Sequence, residues 1–397
     1  MGFKQTPAHK SGKSSYHQIG LVRGQFGNVD FAKWVPFLQQ AGFDGWEEAS
    51  WELDLRRCDT DEGAKAYAEE RVKLAQAHGL EIFTVATHLQ GQVLGDEPTA
   101  KTLNFCSGKG AAKAAYKAWR MAGNSPPRTD PYFVPPEVAK LVHEEAARDL
   151  LACVRYAGHL SKLQGRKVAL PGFVGSPANC WSHWFLFPPL PTEIEGYTLP
   201  DVRDLSLELL AERFGPIWAE CKKYGVTFDL ECHPSERAMG DLESAGDYIQ
   251  YMCKAGYEGV VGFNLDGSHL EWQNVSVVQF IREFHDYIHC AHVKGVWVAR
   301  EHCRAGRLGG HRNMGHWTNG WNFVTAGTAR DANSLEEIFI ELNRVGYEGA
   351  VSIEWEDNDA DQLAGAKAAL ANCRRSDLPP SGMKHDEMLK GDASTSG

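Results

Sequence analysis

Four strand-like segments in the second half of the sequence each end on a side chain that can bind a metal ion. They close as VTFDLE, VGFNLD, IHCAH and VSIE, at Glu231, Asp266, His292 and Glu354. A single acid at a strand end is usually a cap or an ion-pair partner, but four in consecutive strands argue for a site. If these are neighbouring parallel strands, the four side chains converge on one divalent cation. Three carboxylates and one imidazole suit Mn²⁺, Mg²⁺ or Co²⁺.

Further polar residues are predicted to lie near this cluster. In the segment that ends at Glu231, alternate residues from Thr227 to His233 share one face, and the apolar residues between them face the other way. Lys294 has the same parity as the histidine two positions before it and can neutralise an oxyanion. His88 ends another apolar segment, where it either contacts a substrate hydroxyl or is a hydrogen-bonded histidine of the interior.

The elements that must position these residues follow a repeated phrase. A helix-like stretch ends at a glycine, and a β-rich segment follows within two or three residues, as in QQAGFDGWEEAS, AQAHGLEIFTVATH, CKKYGVTFDLECH, CKAGYEGVVGFNLD and NRVGYEGAVSIEWE. Eight strands are predicted, at 18–23, 43–48, 80–87, 167–173, 226–232, 260–266, 288–293 and 349–355. Helices are predicted between them at 31–41, 63–78, 136–163, 201–224, 244–255, 275–286 and 335–345.

Eight alternating units indicate an α/β fold, a (β/α)8 TIM barrel with long βα loops on its C-terminal face. The alternative is an open, doubly wound sheet, although no GxGxxG or GxxxxGK[ST] motif follows any strand. The long βα connections are 89–135, 174–200 and 295–333. A single barrel is predicted over 16–375, with a disordered N-terminal arm at 1–15 and a disordered C-terminal tail at 376–397.

Composition excludes several function classes. The chain has 397 residues and a net charge of −11, which disfavours nucleic-acid binding. We find no apolar segment long enough to span a membrane, and the polar first 17 residues do not resemble a signal peptide. The ten cysteines form no CxxC pair, and several lie in apolar patterns. We therefore predict a cytoplasmic protein without disulfides.

The order of the four predicted ligands resembles the xylose isomerase-like barrels, the sugar phosphate isomerase/epimerase superfamily. The motif DGSH, Asp266 to His269, is similar to the D-x-x-H of that family, which implies that His269 contacts substrate. The resemblance covers 17–375. The ligand spacings of 35 and 26 residues fit the family, whereas the gap of 62 before Glu354 is longer because 296–330 are inserted. This insertion argues against simple ketose epimerisation.

Within the superfamily, the motif ECHPSE most resembles the large (α) subunit of bacterial C-glycoside deglycosidases. That resemblance implies that His233, two residues past the strand-five glutamate, is the catalytic base. It further implies a carbon–carbon lyase that releases an aromatic aglycone from a 3-keto C-glycoside, in a hetero-oligomer with a small β subunit. Mn²⁺ is the expected metal, with Mg²⁺ or Co²⁺ as alternatives.

The alternative within the family is a sugar isomerase or ketose 3-epimerase, in which Glu231 and Glu354 would be the acid/base pair. An apurinic endonuclease would need more ligands and a basic groove, and a sugar-binding scaffold would bind metal without turnover. Aromatic residues in the long loops fit either a polyphenol site or a subunit interface: Trp181, Trp184, Phe185, Phe187, Trp297, Trp317, Trp321 and Phe323. Glu236 is either a carboxylate that contacts the substrate or supports a metal ligand, or a solvated loop acid, and we favour the solvated loop acid.

Overall fold

The computed structural model describes residues 15–184, 187–237, 240–301, 303–308 and 312–381. Within them, eight parallel strands form a closed barrel in chain order. The barrel strands are β1 (Ile19–Val22), β2 (Gly45–Ala49), β3 (Glu81–Ala86), β4 (Ala169–Gly172), β5 (Thr227–Glu231), β6 (Val261–Asp266), β7 (Ile288–Val293) and β8 (Val351–Ile353). The predicted TIM barrel is confirmed, and each predicted strand overlaps one of these eight.

Helices lie between the strands around the barrel. They are α1 (Phe31–Ala41), α2 (Asp61–Ala77), α3 (His88–Gly95), α4 (Ala100–Phe105), α5 (Ala111–Met121), α6 (Pro136–Gln164), α7 (Cys180–Trp184), α8 (Val202–Tyr224), α9 (Leu242–Met252), α10 (Gly267–Glu271), α11 (Val277–Phe284), α12 (Leu335–Val345) and α13 (Gln362–Ser376). The five glycines of the repeated phrase have φ between 65° and 94°, the left-handed conformation that ends a helix and redirects the chain.

Alternation along β5 separates the polar interior of the barrel from its apolar outer layer. Phe228 faces outward and packs on Phe214 of α8, with ring centroids 5.5 Å apart. Asp229 faces inward, where its Oδ1 lies 2.6 Å from Nδ1 of His289 on β7. The parity predicted for this strand is therefore confirmed. It places the side chain of Glu231 inside the barrel, at the C-terminal end of the strand.

The three long connections contain secondary structure of their own. The first holds α3, α4 and α5, and the second holds α7 and a two-stranded hairpin of Glu193–Ile194 with Tyr197–Thr198. In the third, Gly295–Val298 pairs antiparallel with Trp321–Val324. All three follow the carboxyl ends of barrel strands, so they surround the C-terminal mouth.

The first and last described segments of the chain contact each other through His17 and Asp377. Asp377 is fully buried, accepts a hydrogen bond from the backbone N–H of His17, and lies 2.9 Å from the His17 Nδ1. The packed structure thus extends past the boundary of 375 predicted from the sequence. The rest of the predicted arm and tail, 1–14 and 382–397, lies outside the described residues. No described helix combines the length and apolar character needed to cross a membrane, and all ten cysteines are free thiols.

Candidate metal centre

The ends of β5 to β8 bring together the four side chains that were predicted as metal ligands. Glu231 and Asp266 are the last residues of β5 and β6. His292 is the penultimate residue of β7, and Glu354 follows β8 directly. One possible ligand atom from each lies within 4.8 Å of the others, and all four residues are buried. The four donors are close enough to one another to hold one divalent cation.

The imidazole of His292 is oriented by Glu47, a residue that the sequence analysis did not identify. His292 Nε2 lies 3.0 Å from Glu47 Oε2, which also accepts a 2.5 Å hydrogen bond from the hydroxyl of Thr84. His292 Nδ1 lies 3.1 Å from Glu231 and 3.3 Å from Glu354, but it makes no well-directed hydrogen bond to any described residue. Metal-binding histidines commonly donate their other ring N–H to a carboxylate. The donor set therefore fits a metal bound through Nδ1.

Lys294 places its ammonium group beside the same carboxylates. Its Nζ lies 2.9 Å from Asp266 Oδ2, 2.8 Å from Glu354 Oε2 and 3.5 Å from Glu356 Oε2. Burial opposes the charged form, but Asp266 and Glu354 raise the pKa of Lys294 well above its ordinary value. A substrate oxygen that develops negative charge near the four donors would meet this fixed positive charge.

The two other histidines predicted to contact substrate lie against Glu231. His88 Nε2 is 3.2 Å from Glu231 Oε2, and His269 Nε2 is 3.3 Å from Glu231 Oε1. Burial opposes ionisation of Glu231, but the adjacent imidazoles of His269, His292 and His88 hold the pKa of Glu231 well below its ordinary value. Both His88 and His269 also face the open cavity above the cluster, where a substrate can reach them.

His233, the predicted base, lies at the edge of the cluster. Its ring is 4.6 Å from the ring of His269 and 5.2 Å from the ring of Phe173. Burial, followed by the nearby His269, lowers the pKa of His233 well below its ordinary value. Its Nδ1 is buried and has no hydrogen-bond partner among the described residues. The imidazole is therefore held neutral and free to accept a proton.

The carboxylates of the cluster create an electrostatic field that favours a positive charge among them. Burial disfavours an imidazolium at His292, but Glu47, Glu231 and Glu354 more than offset this and raise the pKa of His292 well above its ordinary value. A divalent cation placed at Nδ1 would meet the same carboxylates and would displace the proton. The electrostatics of the described residues thus agree with the ligand geometry.

The interpretation of Glu236 as a solvated acid is wrong. Glu236 is fully buried, and its Oε2 accepts hydrogen bonds of 2.8 Å and 2.5 Å from the backbone N–H groups of Val174 and Gly175. It therefore fixes the loop after β4 against the loop after β5. The local sequence, Ser235-Glu236-Arg237, does not indicate that Glu236 connects two loops. Its partners are backbone groups about 60 residues away.

Two more residues that the sequence analysis missed bind the ligand carboxylates. Asn264 donates a 2.7 Å hydrogen bond to Glu231 Oε2. Gln25 donates to Glu354 Oε1 at 2.7 Å and to Glu356 Oε1 at 3.1 Å. The parity of Asn264, two residues before the end of β6, could have identified it, whereas Gln25 lies in a short helical turn after β1 and shows no such signal.

Two cavities adjoin the cluster. The first, of about 650 Å³, is lined by Glu231, His233, His269, Lys294 and Glu354 together with aromatic residues, so it lies directly over the donors. The second, of about 280 Å³, shares His233 and Met314 with the first. We call these the donor cavity and the aromatic cavity, because three tryptophans line the second: Trp181, Trp272 and Trp321.

The aromatic residues singled out in the sequence occupy different places. Trp181 and Trp321 line the aromatic cavity, and Phe323 lines the donor cavity. Trp184 lies under the guanidinium of Arg237, at 4.7 Å. The remaining described members, Phe187, Trp297 and Trp317, line neither cavity, and Phe185 lies outside the described residues.

The family model for the xylose isomerase-like TIM barrel matches residues 139–376. The chain belongs to this family. The matched range includes all four predicted ligands, so the family-level expectation from the sequence is confirmed. YfiH of Bacillus subtilis (strain 168) is 33% identical to this barrel over 112 residues, which is 28% of this chain and 36% of that protein. The match thus spans about a third of the length of that relative.

Solved structures with the same fold include several sugar epimerases. The 3-keto-D-glucoside 4-epimerase YcjR from E. coli is 14% identical, with a TM-score of 0.50 over 90% of this chain and 99% of that chain. D-psicose 3-epimerase from Clostridium cellulolyticum H10 is 15% identical, with a TM-score of 0.51 over 91% and 99%. A xylose isomerase-like barrel from Mycobacterium smegmatis, solved with magnesium, is 14% identical, with a TM-score of 0.50 over 92% and 97%. At these identities the likeness shows the shared fold alone.

Proposed function

We propose that the chain is a metal-dependent enzyme that removes the proton beside the carbonyl group of a keto sugar. The convergence of four buried donors under a 650 Å³ cavity, with a neutral imidazole beside them, is the observation that supports this most directly. A divalent cation there, Mn²⁺ in our proposal with Mg²⁺ or Co²⁺ as alternatives, would polarise the carbonyl and stabilise an enolate. The M. smegmatis barrel was solved in complex with magnesium, which supports a divalent metal in our proposal.

His233 is the residue that we assign as the base. It borders both cavities, so it faces a substrate that occupies the donor cavity. Because burial lowers its pKa, the imidazole is neutral at pH 7 and can accept a carbon-bound proton. We propose that Lys294 stabilises the developing oxyanion. We also propose that His88 and His269 contact hydroxyl groups of the sugar.

We further propose that the reaction breaks the carbon–carbon bond between C1 of a 3-keto C-glycoside and its aromatic aglycone. His233 takes the proton from C2, and the C1–aryl bond breaks as a C1=C2 double bond forms. The electron pair of the broken C1–aryl bond stays on the aryl carbon, which then takes up a proton. The products are the free aglycone and an unsaturated 3-keto sugar, and no other reactant is consumed. The aromatic cavity, which shares His233 with the donor cavity, supports this proposal because it offers an aglycone a wall for stacking.

A ketose 3-epimerase or sugar isomerase is the alternative. The same enolate would be reprotonated on its opposite face, with Glu231 and Glu354 as the acid/base pair. The names of the E. coli and Clostridium epimerases fit this alternative. It leaves the aromatic cavity without a role, which is why we place it second.

One experiment separates the two reactions. The Mn²⁺-loaded protein is incubated in D₂O with a 3-keto C-glycoside and, separately, with a ketose, and products are followed by chromatography and NMR. We expect aglycone release, slowed about 100-fold or more in His233→Ala and unchanged in the exposed control His285→Ala. Deuterium at an inverted carbon of the ketose, without aglycone release from the C-glycoside, would establish the epimerase. If neither reaction occurs, with or without proteins co-purified from the source cells, the enzymatic proposal fails.

We also propose that a small β subunit covers part of the mouth. Leu308 and Met314, which line the aromatic cavity, are 64% and 46% exposed, and Trp317 of the same insertion is 75% exposed. Exposed apolar side chains grouped in one segment are typical of an interaction surface. Native mass spectrometry of the complex isolated from source cells tests this. A second, smaller chain would support the proposal, and copies of this chain alone would overturn it.

A further inference from the structure

The donor cavity and the aromatic cavity differ in charge. The donor cavity is lined by four acids, Glu231, Glu354, Glu356 and Asp357. The lining of the aromatic cavity contains Arg307 and Arg312 and, among the described residues, neither aspartate nor glutamate. A ligand that spans both cavities must therefore place a metal-binding, oxygen-rich part in one and an aromatic part beside positive charge in the other.

Arg307 is fixed at the edge of the tryptophan wall. Its Nη1 donates a 2.9 Å hydrogen bond to the backbone carbonyl of Trp272, and its own carbonyl accepts a 2.9 Å hydrogen bond from Nε1 of Trp321. The rings of the two tryptophans are parallel, with centroids 4.6 Å apart and an interplanar angle of 6°. The guanidinium therefore keeps a defined position next to a flat aromatic surface, with N–H groups left to donate.

Neither arginine of the aromatic cavity forms an ion pair with a described residue. Other arginines of the molecule do form ion pairs. Arg330 lies 2.9 Å from Asp359, and Arg71 lies 2.7 Å from Glu48. The absence of a described ion-pair partner for the two arginines of the aromatic cavity does not follow from a shortage of acids, because the chain carries a net charge of −11. Glu271 is close enough to Arg307 to interact with it electrostatically, but it does not line the aromatic cavity. The guanidinium groups can therefore donate hydrogen bonds to a ligand anion in that cavity.

We propose that the aromatic cavity binds a ring that carries an ionised oxygen, namely a phenolate of the aglycone, held by Arg307 and Arg312. This inference rests on the proposed lyase function and identifies Arg307 and Arg312 as the residues that recognise the aglycone. Arginine donates charge-assisted hydrogen bonds to an oxyanion, and the tryptophans stack on the ring. A phenolate ortho or para to the glycosidic carbon also places electron density on that carbon, which is the atom that must take up a proton when the bond to C1 breaks.

Binding of small aromatic probes to the Mn²⁺-loaded protein tests the inference without turnover. Quenching of tryptophan fluorescence is titrated with 4-nitrophenol, at a pH at which it is ionised, and with its neutral analogue 4-nitroanisole. We expect the phenolate to bind about tenfold more tightly, which is the contribution of one charge-assisted hydrogen bond. Arg307→Met and Arg312→Met should each reduce this preference. Arg300→Met is the matched control, because Arg300 lines a separate surface groove.

Three outcomes would overturn the inference: equal binding of the two probes, an equal effect of Arg300→Met, or tighter binding of 4-nitrobenzoate, which would assign the cavity to carboxylates. Its failure can be distinguished from failure of the lyase proposal. If the phenolate preference is absent while a 3-keto C-glycoside is still cleaved, only the phenolate assignment is wrong. If the preference is present and no C-glycoside is cleaved, the binding site stands and the reaction must be reassigned.

Discussion

Glu47 determines which nitrogen of His292 faces the other donors. Because Glu47 Oε2 lies 3.0 Å from Nε2, the ring presents Nδ1 to Glu231 and Glu354. We expect Glu47→Gln to weaken Mn²⁺ binding by about 10- to 100-fold, the usual effect of losing such a partner. Isothermal titration calorimetry measures the change.

The adjacent residue provides a matched control for this prediction. Glu48 faces the other way and forms two hydrogen bonds with Arg71, of 2.9 Å and 2.7 Å. Glu48→Gln should therefore lower the free energy of unfolding and leave the dissociation constant for Mn²⁺ unchanged. An unchanged dissociation constant in Glu47→Gln would show that the His292 tautomer is fixed by other means.

Glu236 makes stability depend on pH. Burial, followed by the charge of Asp96, raises the pKa of Glu236 well above its ordinary 4.5. The folded state therefore holds this proton more tightly than the unfolded state, so the free energy of unfolding falls as pH rises from 4.5 towards the folded-state pKa, by at most about 1.4 kcal/mol per pH unit. Glu236→Gln mimics the protonated side chain and should remove this slope in urea unfolding series. Glu348→Gln, at an exposed position, is the control and should retain the pH dependence of the free energy of unfolding. If the slope is unchanged in Glu236→Gln, the pH dependence arises from another group.

At the residue scale, side-chain identity and strand parity were sufficient to predict the four donors. Each donor lies at or beside a strand end, where parity fixes its direction. Glu47 was not predicted, because it and Glu48 are adjacent acids within one strand and only the partner elements show which one faces inward. Glu236 was not predicted, because its partners are backbone groups of a distant loop.

At the element scale, local pattern predicted the strands and the main helices, since each apolar segment and each terminal glycine is a local signal. The hairpin of Gly295–Val298 with Trp321–Val324 was not predicted, although it carries Trp321 and Phe323 into the site. Its strands have four residues each and are far apart in sequence. Pairing between such short strands depends on the tertiary environment rather than on propensity.

The contact of α3 with the loop after β4 shows how an element positions the site. This helix begins at His88 and approaches the backbone of Phe173–Gly175 so closely that a Cβ at Gly91 or Gly95 would overlap the carbonyl oxygen of Phe173 or Val174. We expect Gly95→Ala to lower the free energy of unfolding by about 1–3 kcal/mol through overpacking. Gly108→Ala, where a Cβ meets no atom within 4 Å, is the control in the same denaturant series. Equal stability of the two variants would show that α3 can move away freely.

At the scale of the whole molecule, the barrel depends on contacts between the two ends of the chain. β1 pairs with β8 at three positions, Ile19 with Val351, Gly20 with Ser352 and Leu21 with Ile353. Among the strand pairs of the barrel, these contacts have the largest sequence separation, so they form at the highest entropic cost of any pair. The buried contact of His17 with Asp377 lies beside this closure and links both flanking segments to it. A defect there should affect the global transition rather than one local unit.

We therefore expect Asp377→Ala to lower the free energy of unfolding by about 1–3 kcal/mol for each buried polar group of His17 that it leaves without a partner. The His17 backbone N–H loses a 2.6 Å hydrogen bond, and the ring loses its contact at 2.9 Å while its Nε2 stays 3.1 Å from the carbonyl oxygen of Tyr347. Asp377→Asn retains a carbonyl oxygen for the backbone N–H and should lose clearly less. Urea unfolding followed by both tryptophan fluorescence and circular dichroism measures these changes. Coincident transitions with a lower midpoint support a global role for the contact, whereas an unchanged midpoint in Asp377→Ala would show that the parallel β1–β8 pair closes the barrel without it.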